Sequence, residues 1–169
     1  MFYSYYPNSP VGKLLMTSDG QNLTSLQMNT QRYNRLQSDW IMQDDLEIFN
    51  QTRQWLNDYW QGKKLSLKDL TLKPQGSDFR QKVWKILQEI PYGQYLTYGD
   101  IARRIARECG ITKMSAQAVG GAVGHNPICI VIPCHRVIAA DGSIGGYGDG
   151  IEMKRKLLGL EGSLNTVRE

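Results

Sequence analysis

The residues best suited to covalent chemistry are Pro133-Cys134-His135-Arg136, which follow a continuous apolar run from Ile128 to Ile132. Such a run, opened by the Asn126-Pro127 turn, reads as a buried strand. The expectation is therefore a thiol emerging from a strand end, where Pro133 fixes its own φ, offers no N–H and stops the pairing. A free thiol with a pKa of about 8.5 is only slightly ionised at neutral pH, and nearby cations or a base increase the thiolate share. His135 and Arg136 raise the local positive potential, and His135 can also act as a base. Cysteine is a soft nucleophile suited to displacement at saturated carbon, for which serine is poor. The competing reading is an inert, buried Cys134 beside a surface-exposed His135.

The elements that must position this thiol read as two parts. From Phe2 to Met28, short runs rich in Tyr, Leu and Thr are broken by Asn8-Ser9-Pro10, Asp19-Gly20 and Asn22, the pattern of a strand meander with tight turns. Asp44 to Gln61 places Leu46, Phe49, Trp55, Leu56, Tyr59 and Trp60 near helical spacing, with Gly62 as a stop. Gly62 to Gly76 is a lysine-rich connector. The fold class is thus α/β: a small N-terminal lobe with a short antiparallel sheet plus a helix (1–76), then a mainly helical domain (77–169).

In the second part Ser77 can cap a helix whose apolar face is Phe79, Val83, Trp84, Leu87 and Ile90, ended by Pro91-Tyr92-Gly93. Thr97 caps TYGDIARRIA, and after a break containing Gly110, Ser115 starts SAQAVGGAVG. Two short helices joined this way fit a helix-turn-helix or an ordinary helical hairpin. Ala116, Ala118, Gly120, Gly121, Ala122 and Gly124 are all tiny, and each glycine lowers helix propensity by about 0.5–1 kcal/mol. Compensation could come from close approach to the protein's own core or to the minor groove of DNA.

The hydrophobic fraction of 41% and charged fraction of 21% fit a globular protein, not a disordered or fibrous one. No stretch is long and apolar enough for a membrane span, and the N-terminus lacks the features of a signal peptide. The net charge of +4, mostly carried by the second part, is compatible with a polyanionic partner. Cys109, Cys129 and Cys134 are an odd number, which argues against a disulfide framework and for a reducing cytoplasm. They lack finger-like metal-ligand spacing, so no metal and no cofactor are expected.

The run NPICIVIPCHRVIAADGSIGGYGDG, with TYGDIARRI and SAQAVGGAVG before it and KRKLLGLEG after it, resembles the O6-alkylguanine-DNA alkyltransferases. The resemblance covers 77–162 and rests chiefly on IPCHRV; the first lobe agrees in general layout. It implies a winged helix-turn-helix domain acting as a monomer on double-stranded DNA, through the minor groove and with no membrane partner. The implied activity is irreversible transfer of an alkyl group from O6-alkylguanine, with O4-alkylthymine a second candidate, to a cysteine used once. Cys134 takes the nucleophile's place. His135 becomes the base acting through a water, Glu161 its orienter, Asn126 the residue holding the active-site turn, and Tyr98 the donor to the departing base. Val137, Tyr147, Gly148 and Cys129 fall at the substrate pocket, and Gly99, Ala116, Gln117, Ala118, Gly120 and Ala140 at the DNA face.

Three departures matter. Gln117 stands where many relatives carry an arginine that fills the gap left by the flipped nucleotide, which removes a charge. Cys129 replaces a proline that narrows the pocket in some relatives, although strand alternation with Val131 also allows an ordinary core position. Asp149 replaces a small residue of the closing loop, with repulsion of phosphates or altered loop motion as alternatives. Two other classes compete: a module that only binds alkylated bases, which would need no nucleophile, and a cysteine hydrolase using Cys134 and His135. On extended chain these neighbours point to opposite sides, which suits direct proton transfer poorly.

Overall fold

The structure, a computed structural model, describes residues 1–28 and 36–168. These form two compact units, Met1–Gln75 with Pro127–Val131 and Gly76–Asn126 with Ile132–Glu169.

In the first unit, β1 (Phe2–Tyr6) and β2 (Leu14–Ser18) pair antiparallel, Phe2 opposite Ser18 and Tyr6 opposite Leu14. β3 (Leu23–Met28) continues antiparallel beyond β2, while the short β4 (Ile41–Met42) lies parallel to β1, giving the order β3-β2-β1-β4. The antiparallel meander thus carries one parallel edge strand that no alternation announces in two residues. Helix α1 (Glu47–Trp60) packs against β2 with Ile48, Phe49, Thr52, Trp55, Leu56 and Tyr59 buried, and the chain leaves it through Gly62 at φ 75°. β2 is buried along its whole length.

Pro127–Val131 docks on this sheet without becoming a strand. Leu26 N donates to Pro127 O at 2.9 Å and Cys129 N to Leu26 O at 2.8 Å, a single parallel bridge between Leu26 and Ile128. The chain then turns: Val131 N reaches back to Cys129 O at 2.8 Å across Ile130, which sits at φ 72°. This three-residue γ-turn is an uncommon conformation for a β-branched side chain. The expected strand from Ile128 to Ile132 is therefore corrected to one bridge and a turn, and the alternation that would put Cys129 and Val131 on one face does not exist. An apolar run reports burial on all sides, and Ile128 to Ile132 are all buried, but burial alone does not specify extended backbone.

The second unit is mainly helical. α2 (Asp78–Gln88) is capped by Ser77, whose Oγ accepts from Arg80 N at 3.4 Å. β5 (Leu96–Thr97) leads into α3 (Tyr98–Glu108), where Thr97 and Asp100 form a reciprocal capping box: Asp100 N to Thr97 Oγ1 at 3.0 Å and Thr97 N to Asp100 Oδ2 at 2.9 Å. α4 (Ala116–Gly124), capped by Ser115, completes the helix-turn-helix and packs on both α2 and α3. β6 (Val137–Ile138) pairs parallel with β5, Leu96 opposite Val137. α5 (Ile151–Leu160) closes the unit, and Ile138, Ile144, Leu158 and Val167 form one buried cluster there. Among the described residues, no helix is long and apolar enough to cross a membrane.

Tertiary packing compensates for the glycines of α4. Val119, Ala122 and Val123 are buried, and the indole N–H of buried Trp84 donates to Ala122 O at 2.9 Å. A Trp84→Phe substitution keeps most of the apolar contact but removes this donor, leaving the carbonyl the weaker bond from His125 N at 3.2 Å. It should lower stability by about 1–3 kcal/mol in urea unfolding, and an unchanged midpoint would show that the bond contributes nothing to α4.

Candidate active site around Cys134

Two consecutive tight turns set the backbone that carries the thiol. After the turn at Ile130 in the first unit, the chain enters the second unit at Ile132, and Cys134 N donates back to Ile132 O at 2.8 Å across Pro133 (φ −82°, ψ 67°). This is an inverse γ-turn, for which a proline's restricted φ is already correct. Cys134–Arg136 then forms one turn of 3₁₀-helix, closed by Arg136 N to Pro133 O at 2.9 Å. Asn126 Nδ2 donates to the other acceptor site of this bend, Ile132 O, at 2.7 Å. The side chain expected to hold the active-site turn is thus bonded to it. Pro133 does fix the presentation of Cys134, through a turn in place of a strand end.

Cys134 is 5% exposed and His135 fully buried, so His135 is not the surface residue of the competing reading. His135 Nε2 lies 2.7 Å from Glu161 Oε1. The Arg136 guanidinium grips the same carboxylate with both arms, Nε to Oε2 and Nη2 to Oε1, each at 2.9 Å, and sends Nη1 to Ile90 O at 2.6 Å. Gly93 N adds a donor to Oε2 at 3.4 Å. Burial alone would raise the Glu161 carboxyl, but the bonds from His135 and Arg136 outweigh it and hold the group down at about 2. An ionised carboxylate only accepts, so the His135 proton sits on Nε2 and the basic lone pair on Nδ1. Burial lowers the imidazole pKa against the pull of Glu161, which leaves it neutral and able to take a proton.

A loop lies over the thiol. Cys134 Sγ is 3.8 Å from the Tyr147 hydroxyl oxygen, and the Tyr98 hydroxyl donates to Gly146 O at 3.5 Å. Burial, followed by proximity to Cys134, raises the Tyr98 pKa, so its hydroxyl remains a donor at neutral pH. Gly145 makes the close passage possible: its φ is +69°, and a Cβ there would come within 3.4 Å of Ala139 N and 3.5 Å of the Tyr98 ring. Val137, on β6, is buried and lends its carbonyl to Lys154.

Of the residues singled out in the sequence, Cys134, His135, Glu161, Asn126, Tyr98, Tyr147 and Val137 converge in the second unit. Gly148 is exposed on the loop, with no bond to this network among those observed. Cys129 is buried in the first unit, bonded through its backbone to Leu26. Ala116, Gln117 and Ala118 are exposed on α4, Ala140 is exposed, and Gly99 and Gly120 are half-buried. An open cleft of about 580 Å³ runs beside Gly99, Arg103, Lys113, Ser115, Ala116 and Gln117. A Cβ at Gly121 or Gly124 would meet nothing within 4 Å.

Three contributors went unread in the sequence. Gly93, seen only as part of a helix stop, sits at φ +76°, and a Cβ there would come within 3.0 Å of Glu161 O. Arg136, by type only a source of positive potential, is a specific counter-ion to Glu161. Lys154 is fully buried. Its signal was present as spacing, since Lys154, Leu157, Leu158 and Glu161 share one helical face.

Because the Glu161 pKa is depressed in the folded state, its stabilisation is complete above the ordinary carboxylate value and is lost as pH falls from about 4.3 toward about 2. Glu161→Gln, which leaves Arg136 buried without its counter-charge, should cost about 3–5 kcal/mol at pH 7 and flatten the stability profile in that acid window. Urea unfolding across the pH range checks both, and equal profiles for the two proteins would refute the ionised Glu161.

Both parts of the chain match known proteins. The family model described as 6-O-methylguanine DNA methyltransferase, DNA binding domain, matches residues 78–163, and that described as the ribonuclease-like domain matches 1–74. The methylated-DNA–protein-cysteine methyltransferase of Haemophilus influenzae is 42% identical over 161 residues, 95% of this chain and 86% of the relative. Its Mycobacterium tuberculosis counterpart is 44% identical over 156 residues, 92% and 90% of the two chains. The crystal structure of Mycobacterium tuberculosis OGT in complex with DNA superposes with a TM-score of 0.80 at 40% identity, covering 99% of this chain and 96% of the other. The O6-methylguanine DNA methyltransferase of Methanococcus jannaschii gives 0.69 at 25% identity, over 98% and 96%. With both parts of the chain matched, and relatives more than 40% identical over nearly its whole length, this chain belongs to the 6-O-methylguanine DNA methyltransferase family.

Proposed function

We propose that this chain repairs DNA by direct reversal, as a methylated-DNA–protein-cysteine S-methyltransferase that takes the alkyl group of O6-alkylguanine onto Cys134, once per molecule. The observation that carries the residue roles is the Cys134 thiol beginning the same short turn as His135 and Arg136, with Glu161 bonded to both. Neutral His135, its Nε2 proton engaged by Glu161, draws off the thiol proton through a water. The thiolate attacks the alkyl carbon in line, the S–C bond forms as the C–O6 bond breaks, and the electron pair passes to the purine. Tyr98 releases Gly146 O and donates to the base, making it a better leaving group. No second nucleophile attacks the resulting thioether, so the protein is consumed.

The lesion inside a duplex hides this carbon from an in-line thiolate, so the nucleotide is flipped out at a cost of a few kcal/mol. Tyr147 and Gly148 close over it and Val137 lies beside its edge. The exposed face of α4, with Ala116, Gln117, Ala118 and Gly120, lies in the minor groove, with Gly99 and Ala140 beside the backbone. Gln117 fills the vacated space without a charge. The protein acts as a monomer in a reducing cytoplasm, which suits a chain whose three cysteines are free thiols.

The reading is tested by incubating the protein with a duplex containing O6-methylguanine and analysing its peptides by mass spectrometry. One methyl group per molecule on the Cys134 peptide, absent in Cys134→Ser, is the expected outcome; tight binding with an unmodified Cys134 would overturn it. Gln117→Arg should tighten duplex binding and speed transfer from duplex, with little change on single strands. Equal duplex rates would remove Gln117 from the flipping step.

A further inference from the structure

Beyond α5 the chain returns to the turn that follows β6. After one turn of 3₁₀-helix at Leu164–Thr166, Val167 is extended (φ −98°, ψ 135°). Arg168 N then donates to Gly142 O at 2.7 Å and Ile144 N to Arg168 O at 2.9 Å, a parallel bridge opposite Ser143. The turn so gripped is itself closed by Gly142 N to Ala139 O and Ala139 N to Ser143 O, each at 3.0 Å. Val167 is buried with Ile138, Ile144 and Leu158, and the Tyr95 hydroxyl donates to Thr166 O at 3.3 Å. Residues 166–168 are therefore fixed twice, by a side chain in the apolar cluster and by a backbone on the turn.

What this turn joins gives the clamp a role. On one side lies Ile138 of β6, which follows the thiol-bearing 3₁₀ turn and pairs with Thr97 at the start of α3. On the other, Ile144 leads straight into Gly145, whose left-handed backbone passes close to Ala139 N and the Tyr98 ring, and on to Tyr147 with its hydroxyl 3.8 Å from Sγ. A displacement of Ile144 is carried directly into the loop over the sulfur. Freeing Ile144 breaks its bond to Arg168 and uncovers Val167, so the clamp sets the cost of opening the loop at its base. We propose that Val167 and the Arg168 backbone are positioning elements for alkyl transfer: they hold the Gly145–Tyr147 loop in register over Cys134, where it covers the sulfur and closes on the flipped nucleotide. This rests on Cys134 being the nucleophile.

Labelling without DNA tests the clamp. Carbamidomethylation of Cys134 by iodoacetamide, resolved by peptide mass spectrometry, reads how often the loop uncovers the sulfur, while Cys129, buried in the first unit, reads loosening of the whole protein. Val167→Ala removes two buried methyl groups and should speed Cys134 labelling about tenfold, with Cys129 labelling unchanged. Arg168→Pro removes the N–H given to Gly142, and the extended Val167 before it already suits a proline. It should speed Cys134 labelling in the same way, whereas Arg168→Ala, which keeps the amide, should not. Wild-type labelling of Cys134 in both Val167→Ala and Arg168→Pro, or an equal rise at Cys129, would overturn the proposal.

Single-turnover transfer from an O6-methylguanine duplex connects the clamp to the reaction. At saturating duplex Val167→Ala should transfer up to about tenfold more slowly, while the half-saturating duplex concentration stays at the wild-type value. The sulfur is then easier to reach and less productive, a split that loss of DNA binding would not give. An unchanged maximal rate would refute the link to transfer. Wild-type protein that never methylates Cys134 would sink the functional reading, whereas the labelling result, obtained without DNA, decides the clamp independently.

Discussion

A carboxylate with no exposed side-chain surface survives in a protein only when donors surround it, and Glu161 has them from two other parts of the second unit. The 3₁₀ turn sends His135 and Arg136, and the bend after α2 sends the Gly93 amide. Arg136 then reaches on to the Ile90 carbonyl at the end of α2. The C-terminal end of α5, the exit of α2 and the thiol-bearing turn are thus fastened at one ion. Its charge determines which imidazole nitrogen is basic, so structural fixation and proton chemistry are a single requirement. A neutral amide at 161 could fill the volume, but it could not both accept from the guanidinium fork and select the tautomer.

The thiol is set from the other direction by backbone geometry. Ile130 in a left-handed conformation and Pro133 in an inverse γ-turn bend the chain twice within four residues. Neither bend was visible in the sequence, because an isoleucine-rich run has the same composition whether it is extended or folded on itself. What distinguishes them is the docking of Pro127 and Cys129 on Leu26, a contact more than a hundred residues away in the chain. Locally determined features were readable: the Thr97 and Ser115 caps, the Gly62 stop and the apolar face of α2 depend on neighbours within a turn. Lys154 was hidden for a different reason. A lysine is read as solvent-facing by type, and only its spacing from Leu157, Leu158 and Glu161 contradicts that.

The outer face of α4 is built on a different principle from the interior. Its buried side is held by Trp84 and by contacts to α2 and α3, so its exposed side is free to be small. Alanines and glycines there add little bulk between the helix and whatever it approaches, and charge is left to Arg103 and Lys113 beside the neighbouring cleft. Gln117 fits that division: it carries length and hydrogen-bonding capacity without adding to the electrostatic attraction.

Cys134 is only 5% exposed, whereas Cys109 is open to solvent. For a reagent that works a single time, every sulfur spoiled by a stray oxidant or electrophile is a permanently wasted molecule. Shelter beneath Tyr147 therefore matters during the long idle interval as much as during the reaction. Burial of that sulfur, with the Tyr147 hydroxyl 3.8 Å away, limits the access of such reagents to it.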